Sequence, residues 1–328
     1  MRHLSVALER WPIAQPFTIA RGSKTEAAVI VAALSDGGAT GRGECVPYAR
    51  YGETPESVAA QIESVRDALE SGVDRDVLQR LLPAGAARNA IDCALWDLDA
   101  KRLGVRAAEM AGVGRVRPAV TAYTLSLGDS DAMGAAAREA AARPILKIKL
   151  GAPDGRDAER LRAVREGAPD ATLIVDANEG WSPETLEQNL SACAEEGVAL
   201  VEQPLPAADD GALHDVRRPV PVCADESVHG LDTLDRLVGL YDAINIKLDK
   251  TGGLTEALKL ADAAQSRGLA LMVGCMVGTS LGMAPAMLLA PRARFIDLDG
   301  ALLLARDRPE GLRYEGSLVY PPDRALWG

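Results

Sequence analysis

Short apolar runs that end in a charge recur through the second two-thirds of the chain: ILKIK, TLIVD, VALVE, VPVCAD, AINIK and FIDLD. Each is too short for a helix and is rich in branched residues, so each reads as a buried strand. Between them lie stretches with helical spacing, such as DAERLRAVREGA and SPETLEQNLSACAEEG. The pattern predicts strands near 118–124, 145–150, 171–176, 198–202, 220–225, 242–247, 269–274 and 293–298. Regular strand-helix alternation implies a parallel sheet with right-handed crossovers. Eight such units make a (β/α) barrel.

Residues 1–112 follow another period. LSVALERWPI and AAVIVAALSD read as strands, with DGGATGRGE as a turn. From Thr54 the pattern becomes helical. TPESVAAQIESVRDALESG predicts one helix with Thr54 as N-cap and Gly72 past its end. AARNAIDCALWDLDAKRLG places Ile91, Leu95 and Leu98 at helical spacing and stops at Gly104. The tail, from Asp307, contains the strand-and-turn pattern RYEGSLVYPP and is expected to return to this region. The predicted fold class is α/β. It is a modified TIM (β/α) barrel, residues 113–306, with an α+β N-terminal capping domain, residues 1–112, completed by the C-terminal tail, residues 307–328.

The charges that end the strands carry the chemistry. Lys149, Asp176, Glu202, Asp225 and Lys247 follow one another at intervals of 22 to 27 residues, about the length of one strand-helix unit. A parallel barrel gathers such strand ends at one mouth. Asp176, Glu202 and Asp225 are oxygen donors only, which favours Mg²⁺, with Mn²⁺ as a substitute, over Zn²⁺. One such acid alone is as readily a helix cap; three in register argue for a shared ion. Asn178 and Glu226 follow two of them as supporting partners. Lys147 and Lys149 point to one face by the two-residue period of a strand. Their mutual repulsion is expected to lower the pKa of one or both and free an amine as a base. Lys247 lies across the mouth. A carbanion held between two lysines can be reprotonated from either face, with a metal stabilising the enediolate.

Other residues speak to the substrate. Asp297 and Asp299 share one face of the eighth strand and suit a substrate ammonium group; the other reading is a capping pair. Arg21, in the glycine-bearing loop FTIARGSKTE, suits a carboxylate, with Lys24 and Arg50 as weaker candidates. The turns TGGLTEAL and MVGCMVGTS let backbone approach a ligand, but neither is a nucleotide-binding motif.

Composition narrows the field. A net charge of −11 with dispersed acids and bases excludes nucleic acid and anionic membrane as expected partners. No stretch reaches the length of a membrane span, and the N-terminus is too broken by charge and proline for a signal peptide. Five scattered cysteines with no CxxC pair read as reduced thiols, pointing to a cytoplasmic location. Homo-oligomerisation is left open.

The KxK pair, the Asp/Glu/Asp series and NIKLDKTGG resemble the muconate-lactonising subgroup of the enolase superfamily. PFTIARGS, GECVPYARYGE, LPAGAARNAIDCALWDL, TLIVDANE, EQPLPA, CADES, GCM and DLDG narrow the resemblance to dipeptide epimerases of the L-Ala-D/L-Glu type. The likeness runs from Trp11 to Gly300. It implies Mg²⁺ on Asp176, Glu202 and Asp225, and interconversion of L-Ala-L-Glu and L-Ala-D-Glu. Lys149 would act on the D-Glu epimer and Lys247 on the L-Glu epimer, with Lys147 beside the substrate carboxylate. Thr124 and the turn Gly274, Cys275 and Met276 would line the dipeptide site. Asp297 and Asp299 would take the alanine ammonium, and Arg21 the glutamate side chain. The implied role is murein peptide recycling. The alternatives are a cycloisomerase or dehydratase of the same subgroup, of the muconate cycloisomerase or o-succinylbenzoate synthase type, and a non-catalytic ligand-binding protein. SVHG after CADE and VGTSLGM after GCM depart from the family pattern.

Overall fold

In the computed structural model, which describes residues 2–328, strands β1 (His3–Ile19), β2 (Gly22–Asp36) and β3 (Ala39–Cys45) form an antiparallel sheet in that order. Gly37 and Gly38, both at positive φ, make the β2–β3 turn inside the DGGATGRGE segment. Four helices follow: α1 (Pro55–Ser64), α2 (Arg66–Glu70), α3 (Arg75–Leu81) and α4 (Ala86–Leu103). Thr54 caps α1 by accepting from the Ser57 amide. The single helix expected from Thr54 to Glu70 is two, because Val65 leaves helical backbone at φ −110°, ψ 10°. The sheet lies flush on α4: a Cβ at Gly41 would sit 2.2 Å from the Ala94 carbonyl, and one at Gly43 2.1 Å from that of Ala90. Glycine is required there by the close approach of strand to helix.

A short helix, α5 (Ala107–Met110), and a short strand, β4 (Ala119–Val120), lead to the barrel. Its strands are β5 (Tyr123–Leu125), β6 (Ile145–Lys149), β7 (Thr172–Asp176), β8 (Val198–Glu202), β9 (Val222–Ala224), β10 (Ala243–Ile246), β11 (Ala270–Gly274) and β12 (Phe295–Asp297). They pair parallel in chain order, making a nearly closed eight-stranded sheet. The first strand, expected as one segment, is broken at Thr121 and Ala122 into β4 and β5. The seam between β5 and β12 carries no strand ladder. It is bridged by Ala122 N to Ile296 O at 2.7 Å and by Leu298 N to Thr121 Oγ1 at 2.8 Å. The outer helices are α6 (Ser130–Glu139), α7 (Asp157–Gly167), α8 (Pro183–Glu195), α9 (Leu231–Leu234), α10 (Leu248–Thr251), α11 (Leu254–Ser266) and α12 (Ser280–Met283).

The barrel interior is apolar below the mouth. Ile174, Leu200, Cys223, Met272 and Phe295 pack there as one buried cluster. Two residues further along the same strand face come Asp176, Glu202, Asp225, Gly274 and Asp297. The apolar layer thus seats the charged layer above it, as the strand period requires.

The tail divides. β13 (Tyr314–Glu315) and β14 (Leu318–Val319) form a hairpin that pairs with β4, not with the cap sheet. Both ends of the tail reach the cap: Arg308 pairs with Glu9 and Glu44 at 2.7 Å each, Trp327 is buried and donates to Cys93 O at 3.0 Å, and the Gly328 amide donates to Asp97 at 2.7 Å. Cys45, Cys93, Cys193 and Cys223 are buried free thiols and Cys275 is half-buried. Among the described residues no helix is long and apolar enough to cross a membrane.

Candidate active site

The strand ends meet under the cap. Carboxylate oxygens of Asp176, Glu202 and Asp225 all lie within 4.8 Å of one another, and all three residues are buried. The chain turns sharply just past two of them. Asn178 and Glu179 have φ of 47° and 65°, and Gln203 has 35°, left-handed values that cost energy for non-glycine residues and cluster at working sites.

Each acid is oriented from behind. Asp176 accepts from the Asn178 amide at 2.9 Å. Glu202 accepts from Asn245 Nδ2 at 2.8 Å. The amide of Asp225 donates to Gln203 Oε1 at 2.8 Å, and its carboxylate pairs with Lys250 at 2.5 Å. Asn245, Gln203 and Lys250 were not legible as site residues. The signal for Lys250 was its place in KTGG, three residues after Lys247 and so on the same side of a helical turn. Gly274 is needed because a Cβ there would lie 2.7 Å from the Asn245 amide group that holds Glu202.

The lysines flank the acids. Lys149 Nζ is 2.6 Å from Asp176 Oδ2, and Lys247 Nζ is 2.6 Å from Asp225 Oδ2. The strand order β6–β7–β8–β9–β10 sets three acid-bearing strands between them. Lys147, fully buried, contacts Glu202 and Asp297 at 2.7 Å each and Asp176 at 3.2 Å. Lys147 departs from the expectation of repulsion within KxK. Burial would lower Lys147, but Asp297, Glu202 and Asp176 outweigh it and hold it well above the ordinary lysine range. Lys247 is likewise raised, by Asp225 and Glu202 against burial. The acids outnumber the amines here, and the nearest charge to each ammonium is a carboxylate.

The three acids fit a hard cation. Burial, followed by the charges of Asp176 and Asp225, pushes Glu202 up to about 8. Its Oε2 lies 2.7 Å from Lys147 without a hydrogen-bonding angle, leaving no donor aimed at it among the described residues. Three oxygen donors crowded this closely, one of them resisting ionisation, make a seat for a divalent ion with oxygen preference.

A cavity of about 730 Å³ opens above the triad, between barrel and cap. Phe17 and Tyr51 of the cap, and Thr124, Cys275 and Met276 of the barrel, are among its walls. The Phe17 ring centroid is 5.9 Å from Lys149 Nζ, so a cap aromatic covers that amine. At the far side the two aspartates differ. Asp299 accepts from the Thr124 amide at 2.6 Å and is pushed up to about 7, by burial and then by the Asp297 charge. Asp297 pairs with Lys147, and its buried Oδ1 has no partner among the described residues. Cys275 Sγ donates to Asp297 O at 3.3 Å.

Arg21 lines the cavity but its guanidinium is engaged. It donates to Glu226 Oε1 at 2.7 Å, Asn178 O at 2.8 Å, Tyr48 Oη at 3.1 Å and Glu179 at 3.2 Å. Lys24 also lines the cavity, its Nζ 5.1 Å from the Tyr48 ring centroid.

Residues 1–112 match the family model described as mandelate racemase / muconate lactonizing enzyme, N-terminal domain, and residues 132–325 match that described as enolase C-terminal domain-like. The chain belongs to this family, within the enolase superfamily. It is 49% identical over 316 residues to L-Ala-D/L-Glu epimerase of Escherichia coli (strain K12), covering 96% of this chain and 98% of that one. It is 43% identical over 303 residues to N-acetyl-D-glutamate racemase of Pseudoalteromonas sp, covering 92% and 95%. The chain is accordingly an enzyme, an isomerase. An enolase family member from Agrobacterium tumefaciens with homology to dipeptide epimerases, solved with bound sodium and L-Ala-L-Glu and an ordered loop, superposes with a TM-score of 0.98 at 55% identity, covering 100% of both chains. Dipeptide epimerase from Methylococcus capsulatus, solved with Mg and L-Arg-D-Lys, gives a TM-score of 0.89 at 32% identity over 98% of this chain and 97% of that one.

Proposed function

We propose that this enzyme interconverts L-Ala-L-Glu and L-Ala-D-Glu by moving the α-proton of the glutamate residue between Lys149 and Lys247. The observation that carries the reading is the placement of the two amines at either end of the acid series, each 2.6 Å from a different outer carboxylate. One lysine, as the neutral amine, takes the α-proton and becomes an ammonium; for Lys247, a divalent ion on Glu202 and Asp225 would offset the carboxylate charge that otherwise holds its proton. The opposite lysine, already an ammonium, returns a proton to the other face of the planar carbon, so charge and protons balance over the turnover. From the L-Glu epimer, Lys247 is the base and Lys149 the acid; from the D-Glu epimer the roles reverse.

Asp176, Glu202 and Asp225 would hold Mg²⁺, whose charge would offset the negative charge that builds on the substrate carboxylate as the α-proton leaves. Lys147 stands beside that carboxylate. Asp297, with its unpartnered Oδ1, receives the alanine ammonium, and Asp299 fixes the Thr124 strand next to it. The glutamate side-chain carboxylate goes to Lys24, because Arg21 is spent on Glu226 and Glu179. The physiological role assigned is turnover of murein-derived peptides. A cycloisomerase or dehydratase substrate lacking an ammonium would leave Asp297 Oδ1 buried and unpaired, which disfavours that reading.

The test is incubation with L-Ala-L-Glu and Mg²⁺ in D₂O, followed by NMR and chiral chromatography. Deuterium at the glutamate α-position together with L-Ala-D-Glu is the expected result. No α-exchange ends the proposal.

A further inference from the structure

Two cap loops converge on one barrel carboxylate. Arg21 sits in the β1–β2 turn and Arg50 in the short turn of helix at Ala49–Tyr51. Arg50 clamps Glu179 in the fork geometry, Nε to Oε2 and Nη2 to Oε1, each at 2.7 Å. Arg21 reaches the same Oε2 at 3.2 Å and Glu226 at 2.7 Å. The Glu179 side chain is only 8% exposed, whereas Arg50 is 40% exposed. Glu179 also accepts from the Ala207 amide at 3.3 Å, in the loop after β8. Its backbone is left-handed, at φ 65°. A non-glycine residue holds that conformation only where its surroundings over-determine it.

Glu179 lies three residues past Asp176, and Glu226 directly follows Asp225. Both cap loops are therefore tied to segments that carry outer acids of the triad. The same two loops bring Tyr48, Tyr51 and Lys24 to the cavity wall. Bidentate arginine–carboxylate pairs fix orientation as well as distance. A single charge with two arginines from separate loops makes their positions interdependent.

We infer that Glu179 is a positioning residue: through Arg21 and Arg50 it latches both cap loops to the metal-bearing end of the barrel and thereby forms the substrate-side wall. It touches neither the reacting carbon nor the lysines. This inference rests on the proposed epimerase reaction for its kinetic part but not for its structural part.

The test uses the full chain with Mg²⁺, comparing wild type, Glu179→Gln, Arg50→Gln and the double variant. Amide exchange of residues 17–24 and 47–53, followed by mass spectrometry, is expected to speed up about 10-fold in Glu179→Gln, with the barrel strands unchanged. KM for L-Ala-L-Glu is expected to rise about 10-fold while kcat stays within about threefold, the pattern of lost ground-state positioning. The double variant should be no worse than Glu179→Gln alone, because both substitutions break one contact. Arg50→Gln, at an exposed residue, guards against a folding defect in the Glu179 variant. Unchanged loop exchange, additive effects, or faster exchange with unchanged KM overturns the inference. If the dipeptide proves inert, loop exchange alone decides the latch, so the two failures are distinguishable.

Discussion

The proposed chemistry is divided between single side chains, and substitution should separate their tasks. With Lys149 replaced by alanine, Lys247 still faces the α-proton of L-Ala-L-Glu and, in D₂O, returns a deuteron to the same side. Lys149→Ala should therefore label L-Ala-L-Glu without inverting it, and Lys247→Ala should label only L-Ala-D-Glu. Epimerisation should fall about 10²- to 10⁴-fold in both. Equal labelling of both dipeptides by either variant would contradict the assignment. Lys24 is the cavity cation left for the distal carboxylate. A hydrogen bond to a charged group contributes about 1.5–3 kcal/mol, so Lys24→Gln should raise KM for L-Ala-L-Glu about 10- to 100-fold. Little change should follow with L-Ala-L-Gln, whose side chain is neutral; an equal rise for both dipeptides would count against this role.

Among elements, the joint between α4 and the start of α11 carries a buried carboxylate. Asp92, on α4, accepts from the Thr255 amide at 2.9 Å and from Gln79 at 3.0 Å. Burial raises it from 3.8 to about 6, against the hydrogen bonds from Thr255. The folded chain thus holds this proton more tightly than the unfolded one, so its stabilising contribution is complete below pH about 4 and is lost as pH rises through about 6. Across that window the contribution is at most about 3 kcal/mol. Unfolding of Asp92→Asn by urea at pH 5 and 7.5 should show a smaller pH difference than wild type. An identical difference would remove Asp92 from the explanation.

At this scale the barrel strands and their charged ends were legible, because a two-residue period and a repeat of about 25 residues are local facts of the chain. Val198–Glu202 ends where the pattern ends. The break of the Thr54 helix at Val65 was not legible, because nothing in the helical spacing marks a bend there. The partners of Arg21 were out of reach for another reason. Glu179 and Glu226 lie 158 and 205 residues further along the chain. That a guanidinium in a glycine-bearing loop is already committed to two acids depends on how the cap lands on the barrel. Asn245 and Gln203 were hidden in the same way: their roles lie behind the acids, where only the closed barrel brings them.

For the whole molecule, a metal ion held by the acid triad would be linked to stability. An ion that binds the folded chain alone stabilises it by about 2.7 kcal/mol at 100 times its dissociation constant. For a chain of this size each kcal/mol corresponds to about 2–4 °C. Mg²⁺ should therefore raise the melting temperature by several degrees, EDTA should reverse this, and Asp225→Asn should abolish it. A melting curve indifferent to Mg²⁺ would argue against occupancy. Glu44, buried at the end of β3, joins the Thr279 amide at 2.7 Å and Arg308 at 2.7 Å, tying cap, barrel and tail at one point.

The open seam between β5 and β12 has a consequence for how such a molecule diversifies. Proton transfer is assigned to the continuous run from β6 to β10, where ladder bonds lock neighbouring strands. The amino end of the ligand would instead be met at the unlaced edge, by Thr124, Asp297 and Asp299. Asp297 must stay, because it pairs with Lys147 at 2.7 Å, but exchanging residues 121–124 and 298–300 as a block should retune which ligand is chosen while the turnover apparatus stays intact.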